Sequence, residues 1–223
     1  MYLIFAPFIL GAYLLGSIPF GLLIAKARGK DLRSIGSGNI GATNVARALG
    51  KNWAYFCFAL DVLKGMIPML VTLVFLKSDS TQSQTEQVIQ LCLWLMVGIA
   101  AILGHIFPLY IKFKGGKGVA TSFGVALGLW PYFTVCALFA IAIWIVVVSV
   151  WRYVSLASIV ASITFPAVLI AAIALKIRWE FAILWPLFIA ATVIPLIVII
   201  RHRDNIKRLL AGTENKVREK KNQ

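Results

Sequence analysis

The stretch VATSFGVALGLWPYFTVCALFAIAIWIVVVSV, residues 119–150, decides how many helices this chain contains. It is apolar, and it is too long for one comfortable membrane crossing, because about 20 helical residues rising about 1.5 Å each span the hydrocarbon core of a bilayer. Pro131 interrupts the stretch and lacks the N–H that a helix interior needs. Residues 119–150 therefore form either one tilted helix or a short helix to Trp130 followed by a second helix from Tyr132.

The composition of the whole chain is that of an integral membrane protein. Of 223 residues, 61% are hydrophobic and only 13% are charged, whereas soluble domains carry about 25% charged residues. The mean hydropathy is +0.90. Five further stretches are long and apolar enough to cross a bilayer, and they are residues 2–24, 53–76, 88–110, 154–175 and 179–200.

The distribution of positive charge favours two helices within residues 119–150. The loop after the first span is rich in Lys and Arg, so the positive-inside rule makes it cytoplasmic and puts the N-terminus outside. A single crossing at 119–150 would then leave the basic tail, residues 201–223, outside, whereas two crossings bring it inside. The outer loops would hold only three cations, Lys77, Lys176 and Arg178.

These observations predict an all-α integral membrane protein whose residues 1–223 form a single polytopic domain. It has seven transmembrane helices, of which the fourth, residues 119–130, is short and the fifth covers residues 132–150. The N-terminus lies outside and the C-terminus is cytoplasmic. Every polar cluster of the chain then lies at the cytoplasmic face, where we expect the functional site.

The net charge and the cysteines restrict the partners. A formal charge of +14 favours anionic lipid head groups or anionic substrates. Nucleic acid is not expected, because the chain has no soluble basic domain. Cys57, Cys92 and Cys136 lie singly in apolar runs without a neighbouring histidine, so the sequence predicts packing cysteines and neither a disulfide framework nor a metal site.

The first polar loop, GSGNIGATNVARALG at residues 36–50, has features of an anion site. A helix beginning near Ile40 would point its unpaired N–H groups at an anion, and Asn39, Thr43 and Arg47 would share one face of that helix. No strand precedes the loop, so the spacing does not indicate a Rossmann nucleotide site. A flexible loop followed by an interfacial polar helix is equally compatible with the spacing. The glycines that would let the backbone turn are Gly36, Gly38 and Gly41.

The second polar loop, FKGGKG at residues 113–118, places an ammonium among glycines. Lys117 is followed by Gly118 where a Walker A motif has Ser or Thr, so ATP binding is not predicted. Gly115 and Gly116 would let backbone N–H groups form an anion nest beside Lys117. The alternative is a solvated basic loop that touches anionic lipid.

Two histidines, His105 and His202, fall at the cytoplasmic ends of predicted spans. His202 and Asn205 would share a face of a continuing helix. The chain has no G-x-S-x-G elbow and no cysteine near a histidine, so a protein nucleophile is not predicted. A structural role is the alternative for each histidine. Within the second span, Asp61 and Lys64 are three residues apart and can neutralise each other.

Five segments together carry a resemblance to a known family: GSIPFG (16–21), GSGNIGATNVAR (36–47), LDVLKG (60–65), GHIFPLYIKFKGGKGVAT (104–121) and RHRDNIKRLLAGTENK (201–216). In this order they resemble the bacterial acyl-phosphate-dependent glycerol-3-phosphate acyltransferases, the PlsY family. The resemblance implies a multi-pass enzyme of the cytoplasmic (inner) membrane that acts in phospholipid biosynthesis. It would transfer an acyl group from acyl phosphate to the 1-hydroxyl of glycerol 3-phosphate, giving lysophosphatidic acid and phosphate.

The resemblance also implies roles for particular residues. The catalytic residues would be Ser37, Arg47, Lys117, His202 and Asn205. The substrate-binding residues would be Gly36, Gly38, Asn39, Gly41, Thr43, Asn44, His105, Gly115, Gly116, Gly118, Glu214 and, more weakly, Ser155. Acyl phosphate is already activated, so no cofactor is needed, and the proton acceptor is either His202 or a substrate phosphate.

Two other classes fit the charge pattern. A membrane transporter of an organophosphate or another anion would use the same cations, but it should show repeated halves, and the sequence contains no internal repeat. A scaffold protein on anionic lipid would need the charge but not the glycine spacing. A monomer is compatible with every one of these interpretations.

Overall fold

The structure is a computed structural model that describes residues 5–76, 82–175 and 180–217. The outer end of two predicted spans, at Tyr2 and at Trp179, lies outside the described residues. The same is true of the three cations predicted at the outer face, Lys77, Lys176 and Arg178.

The described residues form helices and loops and contain no strand. Six segments are long and apolar enough to cross a membrane: Phe5–Ala27, Lys51–Phe75, Gln84–Ile111, Tyr132–Trp151, Val154–Leu175 and Phe181–Arg201. The predicted all-α membrane fold is therefore confirmed. The helices in chain order are α1 (Phe5–Gly16), α2 (Phe20–Ala27), α3 (Ala42–Leu49), α4 (Lys51–Phe75), α5 (Gln84–Ile106), α6 (Val119–Gly128), α7 (Tyr132–Trp151), α8 (Val154–Leu175), α9 (Phe181–Arg201) and α10 (Arg203–Leu210).

The decisive stretch, residues 119–150, forms two helices. The first of them, α6, ends at Gly128, two residues before the predicted end, and its ten residues are about 15 Å long. It packs closely on α4, since a Cβ on Gly124 would lie 2.0 Å from the carbonyl oxygen of Val62. Further along, Gly128 approaches Met69 of α4. The residue that comes later on α6 contacts the residue that comes later on α4, so the two helices run in the same direction.

The first membrane segment is broken, which the sequence analysis did not predict. The first helix, α1, ends at Gly16, and α2 begins at Phe20, after Pro19. The break leaves the Ile18 carbonyl without a helical partner, and the Lys64 ammonium of α4 donates to it at 2.9 Å. The predicted ion pair is present, with Lys64 Nζ 2.7 Å from Asp61 Oδ1. Both charged side chains are only 2% to 3% exposed.

The long helices bring the polar loops to one end of the bundle. The first and second loops meet where the Arg33 guanidinium donates to the Lys114 carbonyl. The tail after α10 returns to the α7–α8 turn, since the Val217 N–H donates to the Arg152 carbonyl at 2.7 Å. Four segments separated in sequence therefore surround a common space at this end of the bundle.

Candidate active site

The first loop is organised by a buried amide. Asn44 on α3 accepts the Ser37 N–H at 3.1 Å and donates to the carbonyls of Leu32 and Ile35, each at 3.0 Å. Gly36 has a φ of 57°, and a Cβ there would lie 2.5 Å from Asn44 Oδ1. The Asn44 amide thus holds the loop in shape. The contribution of Asn44 to a phosphate site is therefore expected to be indirect, because its side chain fixes the position of Ser37.

The helix after this loop begins later than predicted, at Ala42 and not near Ile40. Asn39 therefore lies before the helix, where its side-chain oxygen accepts the Gly41 N–H at 3.0 Å. The predicted helical face of three residues is wrong at Asn39, because an Asx turn places it ahead of the first helical turn. Thr43 and Arg47 do lie one turn apart on α3.

The glycines of the second loop have a different role from the predicted one. The N–H groups of Gly115 and Gly116 donate to the carbonyls of Ile106 and His105 at 3.2 and 3.1 Å, so both are occupied at the end of α5. A Cβ on Gly116 would lie 2.1 Å from His105 Nε2, and one on Gly115 would lie 2.2 Å from the His105 carbonyl oxygen. These glycines let the loop pack on α5 and present Lys117.

His105 connects this loop to the buried ion pair. Its ring is 4% exposed, and its Nδ1 lies 3.7 Å from Asp61 Oδ1. Its other ring nitrogen faces Gly116. The second loop therefore sits on His105, which in turn sits against Asp61 of α4.

A hydrogen-bonded network joins Lys117 to the last part of the chain. The Lys117 ammonium donates to the side-chain oxygen of Asn205, whose Nδ2 donates to Glu214 Oε1 at 2.6 Å. The Ser155 hydroxyl and Arg208 Nε donate to the same carboxylate at 2.8 and 2.7 Å. Glu214 thus organises side chains from α8, α10 and the tail, and Ser155, predicted as a weak candidate, is one of its partners.

Burial and hydrogen bonding tune the charges of this network. Burial lowers the pKa of Lys117 to about 8, and the attraction of Glu214 opposes that effect only in part. Burial raises the pKa of Glu214, but hydrogen bonds from Asn205, Arg208 and Ser155 outweigh it and lower the pKa overall. At neutral pH the site therefore holds an ammonium beside a fully ionised carboxylate.

His202 lies just beyond α9 and is 2% exposed. Its Nδ1 donates to the Val198 carbonyl, 2.8 Å away, so the neutral ring keeps Nε2 as an acceptor. Burial, with the Lys117 ammonium adding to it, lowers the pKa of His202 to about 4. The helix does not continue through this residue, because α10 begins separately at Arg203. His202 and Asn205 nevertheless line a common cavity at this end of the bundle.

The titration of Lys117 predicts an alkaline limit for catalysis. If the ammonium is required, kcat/KM should fall as the pH rises through about 8, because this parameter follows the free enzyme and the charged form is lost there. Substrate phosphate, with a second pKa of about 6, does not titrate in that range. The measurement is a pH profile corrected for spontaneous donor hydrolysis. The Lys117→Arg variant should lose the alkaline fall, and a wild-type profile that stays flat to pH 10 would contradict the assignment.

One continuous cavity connects the polar end of the bundle with an apolar interior between α6, α7, α8 and α9. Four of the predicted site glycines, Gly36, Gly38, Gly115 and Gly116, are not among its lining residues. The predicted site residues that line it are Ser37, Asn39, Gly41, Thr43, Asn44, Arg47, His105, Lys117, Gly118, Ser155, His202, Asn205 and Glu214.

A second, polar cavity adjoins the first. Ser37, Asn39, Lys117 and Asn205 line both cavities. Three cations that the sequence analysis did not select, together with Asp204, complete the second cavity: Arg201, Arg203 and Arg208. Arg201 also donates to the Gly116 carbonyl at 3.2 Å. The clustering of these three arginines in the segment RHRDNIKR (201–208) is the feature of the sequence that could have indicated them.

The fold and the site define a class: a polytopic membrane protein whose cationic pocket for an anion opens into an apolar cavity. The family model for glycerol-3-phosphate acyltransferase matches residues 6–212. Glycerol-3-phosphate acyltransferase of Geotalea daltonii is 44% identical over 208 residues, covering 93% of this chain and 94% of that protein. The enzyme of Aquifex aeolicus is also 44% identical, covering 92% and 95%.

Two solved structures are also similar to this chain, and both are of a glycerol 3-phosphate acyltransferase. The crystal structure of PlsY, an integral membrane glycerol 3-phosphate acyltransferase, in its glycerol 3-phosphate form is 41% identical, covers 96% of both chains and has a TM-score of 0.79. Its lysophosphatidic acid form is 40% identical and has a TM-score of 0.76, covering 96% of this chain and 95% of that one.

The chain belongs to the PlsY family of glycerol-3-phosphate acyltransferases. The resemblance noted in the sequence is confirmed, and the protein is a multi-pass membrane enzyme that acylates glycerol 3-phosphate. This assignment selects the enzyme over the transporter and the scaffold.

Proposed function

We propose that this enzyme transfers the acyl group of acyl phosphate to the 1-hydroxyl of glycerol 3-phosphate, releasing lysophosphatidic acid and phosphate at the bacterial inner membrane. The observation that carries the proposal is the single cavity with a cationic end at Lys117 and Arg47 and an apolar interior. An acyl phosphate has the same two parts, a charged head and a fatty chain. The lysophosphatidic acid form of the related PlsY is consistent with this product.

The two cavities suggest how the two substrates meet. The acyl chain lies in the apolar cavity with its phosphate at Lys117, and glycerol 3-phosphate occupies the polar cavity, where Arg201, Arg203 and Arg208 attract its phosphate. Lys117 and Asn205 line both cavities, so the acceptor hydroxyl and the donor carbonyl come together beside them. Positioning two substrates in this way supplies a large share of the rate enhancement.

The proposed chemistry is a direct transfer. The acceptor hydroxyl oxygen bonds to the acyl carbonyl carbon, and the bond from that carbon to the phosphate oxygen breaks. The phosphate leaves with the electron pair of that bond, and the hydroxyl proton passes to a phosphate oxygen. Lys117 stabilises the charge that develops on the leaving phosphate.

His202 is better suited to orient the hydroxyl than to remove its proton. Its Nε2 is available as an acceptor, but a pKa of about 4 makes the ring a weak base. A substrate phosphate, with a second pKa of about 6, is closer to the working pH. We therefore assign the proton to a substrate phosphate and the hydrogen bond to His202.

The experiment that tests this proposal compares acyl donors. Purified enzyme receives labelled glycerol 3-phosphate with palmitoyl phosphate, palmitoyl-CoA or palmitoyl acyl carrier protein at equal concentrations. We expect labelled lysophosphatidic acid from palmitoyl phosphate alone, with one phosphate released per product. Equal or faster product formation from either thioester would overturn the assignment of the donor.

We also propose that the chain crosses the membrane seven times, with the N-terminus outside and the C-terminus cytoplasmic. The parallel course of α4 and α6 supports this arrangement, since it makes α6 a crossing in its own right despite its length. The positive charge of the loops at the site end supports a cytoplasmic position for that end.

Thiol labelling tests this topology in a protein whose three native cysteines are replaced. Single cysteines at Ser80 and Asn222, both outside the described residues, should react differently with an impermeant reagent applied to intact spheroplasts. Ser80→Cys should be labelled from outside, and Asn222→Cys only after the membrane is opened. Labelling of Asn222→Cys in intact spheroplasts would contradict seven crossings.

A further inference from the structure

The apolar cavity has a definite inner end. On α7 its lining runs from Trp144 back to Phe133, and on α9 it runs from Val198 back to Ala190. On α8 it runs from Ser155, beside Glu214, to Phe165. These two α8 residues are ten positions apart, which corresponds to about 15 Å of helix. The linings of α7 and α8 end at the same place, because the rings of Phe133 and Phe165 are in contact.

Small side chains along the walls leave the space that the cavity occupies. Alanine and serine line much of its length, and both leave room beside a helix. Two bulky residues then meet at the inner end: the rings of Phe133 and Phe165 are 5.2 Å apart and perpendicular, at 89°. Phe133 is only 2% exposed, so its neighbours hold it in place. The small wall residues are Ala137, Ala140, Ala161, Ala190, Ser158 and Ser162.

The polar groups that α7 and α8 contribute to the wall are hydrogen-bonded, which indicates the chemistry of the occupant. The Trp144 indole N–H donates to the Ser158 hydroxyl at 3.1 Å. That hydroxyl donates to the Val154 carbonyl at 2.9 Å, and the Ser162 hydroxyl donates to the Ser158 carbonyl at 2.8 Å. These groups are satisfied without an occupant, so an alkyl chain can lie against the α7–α8 wall without leaving its polar atoms unpaired.

We infer that the Phe133–Phe165 pair closes the acyl cavity and sets the longest acyl chain that the enzyme accepts efficiently. The inference rests on the proposed function, since the occupant is the chain of the donor. The head of the donor is fixed at Lys117 and the floor is fixed by two packed rings, so the distance between them acts as a ruler. A chain that is too long must bend or displace a ring. A chain that is too short leaves part of the cavity unfilled.

The test measures relative kcat/KM for saturated acyl phosphates from C12 to C18 in mixtures, so that donors compete in one reaction. Phe165→Ala removes one ring of the floor and should shift the preferred chain length upward. Ala190→Phe adds a ring where the lining of α9 ends and should shift it downward. Since each buried methylene changes the transfer equilibrium about fourfold, a shift by two carbons changes the ratio of adjacent even-numbered donors on the order of tenfold.

A matched control is Phe139→Ala, which removes the same ring from α7 at a position that is 55% exposed and does not line the cavity. Its chain-length profile should equal that of the wild type. An active Phe165→Ala or Ala190→Phe variant with an unchanged profile would overturn the ruler while leaving the acyltransferase function intact. Absence of transfer from every acyl phosphate in the wild-type protein would instead refute the proposed function.

Discussion

Lys117→Ala is expected to lower kcat/KM for acyl transfer about 10²–10³-fold, the loss typical of removing one group that stabilises transition-state charge. The alanine removes the cation that we propose to lie beside the leaving phosphate, and it also leaves Asn205 Oδ1 without its donor. Because Asn205 is held by Glu214, the rest of the network should keep its shape. The measurement is initial-rate kinetics with palmitoyl phosphate and glycerol 3-phosphate each varied.

Lys112→Ala is the matched control, since Lys112 lies on the same loop but is exposed and does not line either cavity. It should retain kcat/KM within about twofold, in keeping with the small effects of exposed charges. A Lys117→Ala enzyme that keeps a tenth or more of wild-type activity would show that this ammonium is not central to the transfer.

Lys64→Met should destabilise the protein by about 3–5 kcal/mol, because it leaves the Asp61 carboxylate buried without its partner. The substitution also removes one of two donors to the Ile18 carbonyl in the break between α1 and α2, and the Phe20 N–H remains as the other. His105 is a weaker partner than Lys64, since its Nδ1 is 3.7 Å from Asp61 Oδ1, beyond hydrogen-bonding distance. The free energy of unfolding, from denaturant titration in mixed micelles, measures the effect.

The double variant Asp61→Asn with Lys64→Met separates charge from packing. It removes both charges, so it should regain most of the lost stability, as replacing a whole buried pair usually costs less than breaking it. Lys51→Met, at the exposed start of α4, is the control and should change stability by less than about 0.5 kcal/mol. A double variant as unstable as Lys64→Met alone would mean that packing, and not the unpaired carboxylate, causes the loss.

Charge and length predicted much of the fold. The basic loops and tail placed the polar segments at one end, where Arg33 meets Lys114 and Ser155 meets Glu214. The three-residue spacing of Asp61 and Lys64 predicted their pairing. The break after Gly16 was not predicted, because its stability depends on the Lys64 ammonium reaching the Ile18 carbonyl from another helix.

The sequence predicted most of the residues of the candidate site, but it predicted their individual roles less well. Thirteen of the selected residues line the cavity. However, the direction of the Gly115 and Gly116 N–H groups depends on where α5 ends, and the use of the Asn44 amide depends on the fold of its loop. The apolar floor gave no signal, because α7 and α8 are hydrophobic on every side and periodicity cannot identify the face that lines a cavity.

The most direct test of the account uses vesicles that contain the purified enzyme, with labelled glycerol 3-phosphate supplied to its cytoplasmic side and palmitoyl phosphate in the membrane. We expect label to appear as lysophosphatidic acid in the lipid fraction, matched by an equal amount of released phosphate, and no unchanged glycerol 3-phosphate to accumulate across the membrane. Accumulation of unchanged label without phosphate release or lipid product would contradict direct acyl transfer and would make this protein a carrier.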